Sequence, residues 1–265
     1  MASDSLPYPL KRNALASTRL NFNHFWMKGI TGYLLHPEIP TEKDNLRIAD
    51  VGTGTGIWAG EIAVQLPDAK IDAIDISAAQ FPPAPFRKSN THFWTHDCFK
   101  PFPDEYLGQF DIVHARFWLC IINDDVAKPL MENLLTLLKP GGYLQWMEPL
   151  PRTAYVLARN GGAPTPACDK LVKTWDKPTP RSSYDWVHAL PQLFEELKLE
   201  VLVEEKHENS QHYLPVGAQT VLLGLSEYLY ANPNIEEYIE QLAGEHAAGA
   251  YVDVKWTCVV SRKTI

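Results

Sequence analysis

The sequence predicts an α/β fold: a mostly parallel sheet, helices on both of its faces, and a late antiparallel strand. Three observations carry that prediction. Apolar runs of strand length alternate with helical patterns between residues 47 and 147. A glycine-lined turn, "ADVGTGTG", joins the first such run to the first such helix. Two further strand-like runs, 200–206 and 251–260, are separated by a long helical stretch, a pattern that supplies an antiparallel edge.

The elements follow in order. Residues 1–9 are polar and proline-rich and read as a loose arm. A helical pattern over 12–35 sets Leu15, Leu20, Phe22, Phe25, Trp26, Ile30, Tyr33 and Leu34 at apolar positions. Gly29 and Gly32 weaken it, and Pro37 and Pro40 close it. The alternation then runs through a strand at 47–51, a helix at 56–66, strands at 70–76, 91–94 and 110–114, and a helix at 125–138. A turn at 140–142 leads into a strand at 143–147. Beyond Glu148 the pattern changes. Residues 151–186 are rich in Pro, Gly and Thr with short helical pieces, and 184–197, 215–230 and 235–246 read as helices.

Length and composition bound the function. A chain of 265 residues fits one large domain with a lid better than two domains. The net charge of -8 argues against charge-driven binding to nucleic acid or to an anionic membrane. Cys98, Cys120, Cys168 and Cys258 form no CxxC pair, so neither a disulfide framework nor a metal site is expected, and a reducing, cytoplasmic setting fits. No apolar run approaches the ~20 residues of a membrane span, and prolines and charges break up the N-terminus where a signal peptide would need an apolar core.

The glycine turn points to a ligand. Gly52, Gly54 and Gly56 follow a strand and open a helix, where the backbone can approach a bound group and free N–H groups point outward. A dinucleotide fingerprint would read G-x-G-x-x-G, and Ile57 stands where its third glycine belongs. No G-K-[ST] is present, which excludes a P-loop. Asp50 precedes the turn, and a carboxylate there suits an amino-acid ammonium better than a polyphosphate. Asp75 ends the second strand about 20 residues on, where an acid accepts from ribose hydroxyls. Asp97 follows the third strand and suits an adenine amino group. Three acids at three successive strand ends describe an adenosyl group joined to an amino acid, the shape of S-adenosylmethionine.

Those residues, with "FDIVHAR" and "LLKPGGYLQWME", resemble the motifs of class I S-adenosylmethionine-dependent methyltransferases, most of all the fungal LaeA- and UMTA-like group of secondary metabolism. "RLNFNHFWMKGITGYLLHP" and "IDISAAQFPP" are similar to that group too. The resemblance implies a Rossmann-like seven-stranded sheet with an antiparallel last strand. It also implies an N-terminal helical lid over 1–40, a methyltransferase domain over 41–265 and a lid insertion over about 151–197. It places Gly52, Gly54 and Gly56 at the methionine end with Asp50 in support, Asp75 at the ribose, Asp97 and Cys98 at the adenine, Ile76 among the cofactor contacts, and His114 and Arg116 beside the sulfonium. Asn23 stands before His24 where many relatives carry Gln.

Methyl transfer from a sulfonium depends mainly on placing the nucleophile, so a base is needed only for some acceptors. His24, His114 and His188 are the candidates for one. Trp26, Tyr33, Trp118, Trp146 and Trp186, with Arg116, are candidates for contacting a small, largely apolar acceptor. Plainer readings stand beside these: His114 as a satisfied strand-end histidine, Arg116 paired with a surface acid, the tryptophans as core. The expected protein is a monomer or homodimer that methylates O or N of a small natural product. Its rivals are a non-methylating reaction such as cyclisation in the same pocket, a LaeA-like regulator acting through protein partners, and a nicotinamide oxidoreductase, which Ile57 disfavours.

Overall fold

The computed structural model describes residues 11–175, 183–228 and 235–264. Strands β1 (Arg47–Val51), β2 (Lys70–Asp75), β3 (Thr91–Thr95), β4 (Phe110–Arg116) and β5 (Leu138–Pro149) pair in parallel in the order β3-β2-β1-β4-β5. Ile48, Ala49 and Val51 are all buried, as a strand covered on both faces requires, and this is why β1 reads as an unbroken apolar run. β4 reaches two residues beyond the expected 110–114, so Arg116 is its last residue.

The sheet continues through β9 (Trp256–Lys263), antiparallel to β5, and ends at β7 (Leu199–His207), antiparallel to β9. The two late strands thus form the antiparallel edge the sequence suggested, with the last strand, β9, on the inner side and β7, which runs with β1–β5, outermost. The reason is burial: Cys258, Val259 and Val260 are fully enclosed, whereas β7 buries only its first residue and keeps partly exposed positions all along it. The run 251–260 also divides. β8 (Ala250–Asp253) leaves to pair with β6 (Tyr155–Ala158) in a separate two-stranded ribbon. The break falls at Asp253, whose carboxylate accepts from the Val254 N–H and the Asn209 amide at 2.8 Å and from the Tyr155 hydroxyl at 3.0 Å.

Helix α1 (Ala14–Thr31) begins at Asn13, whose side chain accepts the Ala16 N–H, and stops at Gly32, which turns left-handed (φ 78°) before the expected end at residue 35. With α2 (Ile57–Gln65) it covers one face of the sheet, where Trp26, Met27, Trp58 and Ile62 meet Ile48, Ile71, Ile112 and Met147. Residues one position along each strand point to the other face, so Val51, Val113 and Trp146 meet α3 (Asp124–Leu135), α5 (Asp185–His188) and α6 (Leu190–Glu196). The helix expected over 184–197 is thus two helices, parted at Ala189 just before Pro191. Both lie within the stretch 151–197 expected as a lid, and they build the main core through Trp186, Leu190 and Phe194.

α4 (Pro166–Trp175), α8 (Ile235–Ala247) and the β6–β8 ribbon enclose a smaller cluster of Ala167, Cys168, Leu171, Leu242 and Ala250. α7 (Leu214–Tyr228) ties this lobe to α1, with a buried ion pair between Arg19 and Glu227 at 2.6 Å. No described helix is long and apolar enough to cross a membrane. The arm expected over 1–9, residues 176–182 of the expected lid and the end of the helix expected over 215–230 lie outside the described residues.

Candidate functional site

β1 is flanked by β2 on one side and β4 on the other, so the chain order reverses at its end. Open α/β sheets form ligand crevices at that point, beyond the carboxyl ends of the strands. A crevice lies there, with about 1070 Å³ of empty space that merges with open solvent. Its floor is the glycine turn. Gly52 and Gly54 hold φ 72° and 58°, and a Cβ on Gly52 would sit 2.9 Å from the Trp118 ring.

On the β2–β3 side, Asp75 accepts the Gly54 N–H at 2.9 Å and the Ser77 N–H at 3.1 Å. Burial raises its carboxyl above the usual range, against the pull of those two donors. Each of its oxygens keeps a lone pair for a further donor in the crevice. Ile76 beside it is 53% exposed and lines the same wall. Asp97 accepts the Phe99 N–H at 3.1 Å and lines the crevice with Cys98, whose buried thiol is pushed up.

Asp50 lies deeper. It accepts from Thr53 Oγ1 at 2.5 Å and His114 Nδ1 at 2.8 Å. Burial alone would raise its carboxyl, but these bonds hold it below the ordinary value. His114 is fully enclosed, stacked on Trp58 with ring centroids 3.8 Å apart, and burial lowers its pKa. It supports Asp50 from behind and does not line the crevice.

On the β4 side stand Arg116, Phe117, Trp118 and Ile121. Arg116 Nη2 donates to His24 Nδ1 at 2.9 Å, and burial lowers the guanidinium to about 10, still charged at neutral pH. Phe117 holds a left-handed φ of 60°, uncommon for a residue with a side chain. The segment is anchored from β5. Glu148 is fully buried and accepts the Trp118 N–H at 2.6 Å, the Leu119 N–H at 3.2 Å and the Trp146 indole N–H at 3.0 Å. Burial pushes its carboxyl up to about 8.

The crevice gathers Asp50, Gly52, Gly54, Asp75, Ile76, Asp97, Cys98, Arg116 and Trp118 from the residues singled out in the sequence. Gly56 turns to the opposite side of α2, against Phe93. Of the histidines, His24 spends Nδ1 on Arg116 and sets Nε2 3.2 Å from Glu61, His114 is enclosed, and His188 sits by the Arg152 N–H. Trp26 bonds Asn209 and packs on Trp256. Tyr33 bonds Glu205 and His207 on β7. Trp146 and Trp186 pack against each other in the core. None of these four lines the crevice, because their rings fill space between sheet and helices. Arg12, Leu20, Thr53, Gln80, Phe99 and Phe117 line it without having been singled out. The D-x-x-T spacing of Asp50 and Thr53 is the local hydrogen-bond signal in the sequence that marks Thr53.

A family model described as "Methyltransferase domain" matches residues 23–206. Among curated proteins, the chain is similar to the N-methyltransferase verN of Clonostachys rogersoniana, 31% identical over 143 residues, 54% of this chain and 50% of that protein. It is similar as well to the methyltransferase grgD of a Penicillium species, 35% identical over 150 residues, 53% of this chain and 52% of that protein. The chain thus spans about half the length of the curated relatives it matches. Among solved structures it resembles the [4+2]-cyclase SpnF, with a TM-score of 0.56 at 17% identity, covering 97% of this chain and 98% of that one. It also resembles a phosphoethanolamine N-methyltransferase of Haemonchus contortus in complex with S-adenosyl-L-methionine, with a TM-score of 0.53 at 14% identity, covering 96% and 58%. At those identities the two structures speak for the fold.

Proposed function

We propose a reaction from one premise: the chain belongs to the methyltransferase-domain family, whose model matches more than half of it. The reaction is methyl transfer from S-adenosylmethionine to O or N of a small, largely apolar natural product. One observation supports it above the others. Asp75 ends β2 with its carboxylate bound to the Gly54 N–H and its remaining lone pairs on the crevice. That is the chemistry a ribose diol needs above a turn whose lack of side chains admits the methionyl chain.

In this reading Asp75 holds the ribose, Ile76 packs against the cofactor from the same wall, Asp97 and Cys98 flank the adenine, and Gly52 and Gly54 receive the methionyl end, with Asp50 supporting the ammonium. The cofactor, when bound, supplies the electrophilic methyl group. The protein's part is placement: Phe99, Phe117, Trp118 and Ile121 wall off water and orient the acceptor. Its free thiols fit a cytoplasmic setting, and we take the working form to be a monomer or homodimer acting on a small molecule. Calorimetry tests the cofactor class. S-adenosylhomocysteine is expected to bind wild-type protein and NADH is not; the reverse pattern would sink this reading.

A further inference from the structure

Arg116 brings to the β4 side of the crevice a charge that methyl transfer as such does not use. Its hydrogen-bond partner is His24. A guanidinium has donors only, so His24 Nδ1 accepts and the ring proton sits on Nε2, facing Glu61 Oε2 at 3.2 Å. Burial, with Arg116 itself, lowers His24 to about 4. The partner is therefore neutral and offsets none of the arginine's charge.

Among the described residues Arg116 makes no ion pair with a carboxylate. Asp50 is near enough to feel the charge, but its hydrogen bonds go to His114 and Thr53 and not to the guanidinium. The guanidinium keeps donors for a ligand beside Phe117, Trp118 and Ile121. A half-buried cation against an aromatic wall, with donors turned to the crevice, is a ready partner for an anionic ligand. The backbone adds an independent sign. Phe117 is held left-handed by the Glu148 anchor one residue on, and strain of that kind persists where it aims a functional group.

Proton acceptance is the other half. His24 is buried with Nδ1 taken by Arg116, His114 is enclosed, His188 lies away from the crevice, and His96, which does line it, sits on the far wall beside Asp97 and meets the Lys100 carbonyl through Nε2 at 3.1 Å. At the β4 end the charged lining groups are Asp50 and Arg116. This environment suits an acceptor that arrives already ionised.

We propose that the acceptor reacts as an oxyanion, the conjugate base of a carboxylic acid or of an acidic enol or phenol. The Arg116 fork holds that oxyanion, and His24 is the positioning residue that fixes the fork. The inference rests on the methyl-transfer reading above. The acceptor's proton goes to water before transfer, because a bidentate guanidinium favours the ionised form. An oxygen lone pair then forms the O–C bond as the methyl C–S bond breaks. That electron pair stays on sulfur, which passes from sulfonium to thioether.

The test uses the full chain saturated with S-adenosylhomocysteine and titrated with 1-naphthoate or neutral 1-naphthylamine, two probes of matched ring size. Wild type is expected to bind naphthoate at least about tenfold more tightly, and Arg116→Gln to lose that preference. Affinity for S-adenosylhomocysteine is expected to stay within about threefold in both proteins. If Arg116→Gln does not fold, Arg116→Lys carries the test: it keeps the charge but loses the fork, and the preference is expected to fall about threefold or more. Equal binding of the two probes by wild type, or a naphthoate preference that survives in the variant that folds, overturns the proposal. So does a parallel fall in S-adenosylhomocysteine affinity, which would assign the guanidinium to the cofactor's own carboxylate. If wild type binds no S-adenosylhomocysteine, the methyl-transfer reading fails and takes this inference with it. Cofactor binding without naphthoate preference defeats the inference alone.

Discussion

On the β1–β3 side of the crevice, Asp50 reaches Thr53 across 3 residues of chain and Asp75 reaches Gly54 across 21. On the β4 side, Trp118 reaches Glu148 across 30 residues and Arg116 reaches His24 across 92. Apart from the Asp50–His114 bond, which reaches β4 across 64 residues, the first side is a turn that one βαβ unit completes by itself. The second exists only after α1, β4 and β5 have come together. Changes on the first side should therefore weaken the cofactor and leave the fold intact. Changes on the second should act on stability or on the acceptor and spare the cofactor.

The sharpest way to break that contrast is Glu148→Ala, which strands two backbone N–H groups and one indole N–H in the core. A loss of about 3 kcal/mol or more is expected in urea unfolding. An unchanged midpoint would show that the β4 segment does not depend on this anchor. The same carboxyl gives a pH signature. Its folded pKa, about 8, lies above the 4.5 of the free side chain, so the folded state binds the proton more tightly. Its own contribution to stability should be complete below about 4.5 and should be lost, by an amount on the order of a few kcal/mol, as pH rises through about 8. Glu148→Gln, which cannot titrate, should flatten that slope; an unaltered profile would place its cause elsewhere.

Gly52→Ala probes the seam between the two sides. The new Cβ needs a left-handed backbone and meets Trp118 at 2.9 Å. A cost of about 1–2 kcal/mol in thermal unfolding is expected, with weaker S-adenosylhomocysteine binding. A neutral result would mean that the turn relaxes freely. The smallest effect belongs to His24→Gln. An amide can still accept from Arg116, so naphthoate affinity should fall about threefold and cofactor affinity should hold. A larger drop in cofactor affinity would erase the distinction between the sides.

The same contrast explains what the sequence disclosed. The glycine turn, Asp75 and Asp97 were legible because their partners lie nearby in the chain and their spacing follows from one strand-turn-helix unit. The order of the last strands was not, since β7 and β9 look alike as runs and only the tighter burial of Cys258–Val260 places β9 inside the sheet. Tryptophan was ambiguous for a physical reason. A large ring with one polar atom serves a core or a pocket wall equally well, and Trp146 and Trp186 fill the core while Trp118 faces the crevice. Nothing local to "FDIVHAR" reveals that Arg116 meets a neutral histidine from α1, nor that Glu148 holds the next segment.

The central claim is that Asp75 faces an adenosyl ribose across the glycine turn. Its most direct test is the calorimetric affinity of Asp75→Ala for S-adenosylhomocysteine beside that of wild type. A loss of about 30-fold or more, roughly 2 kcal/mol, is predicted with the thermal midpoint nearly unchanged. Undiminished binding by the variant would contradict the account.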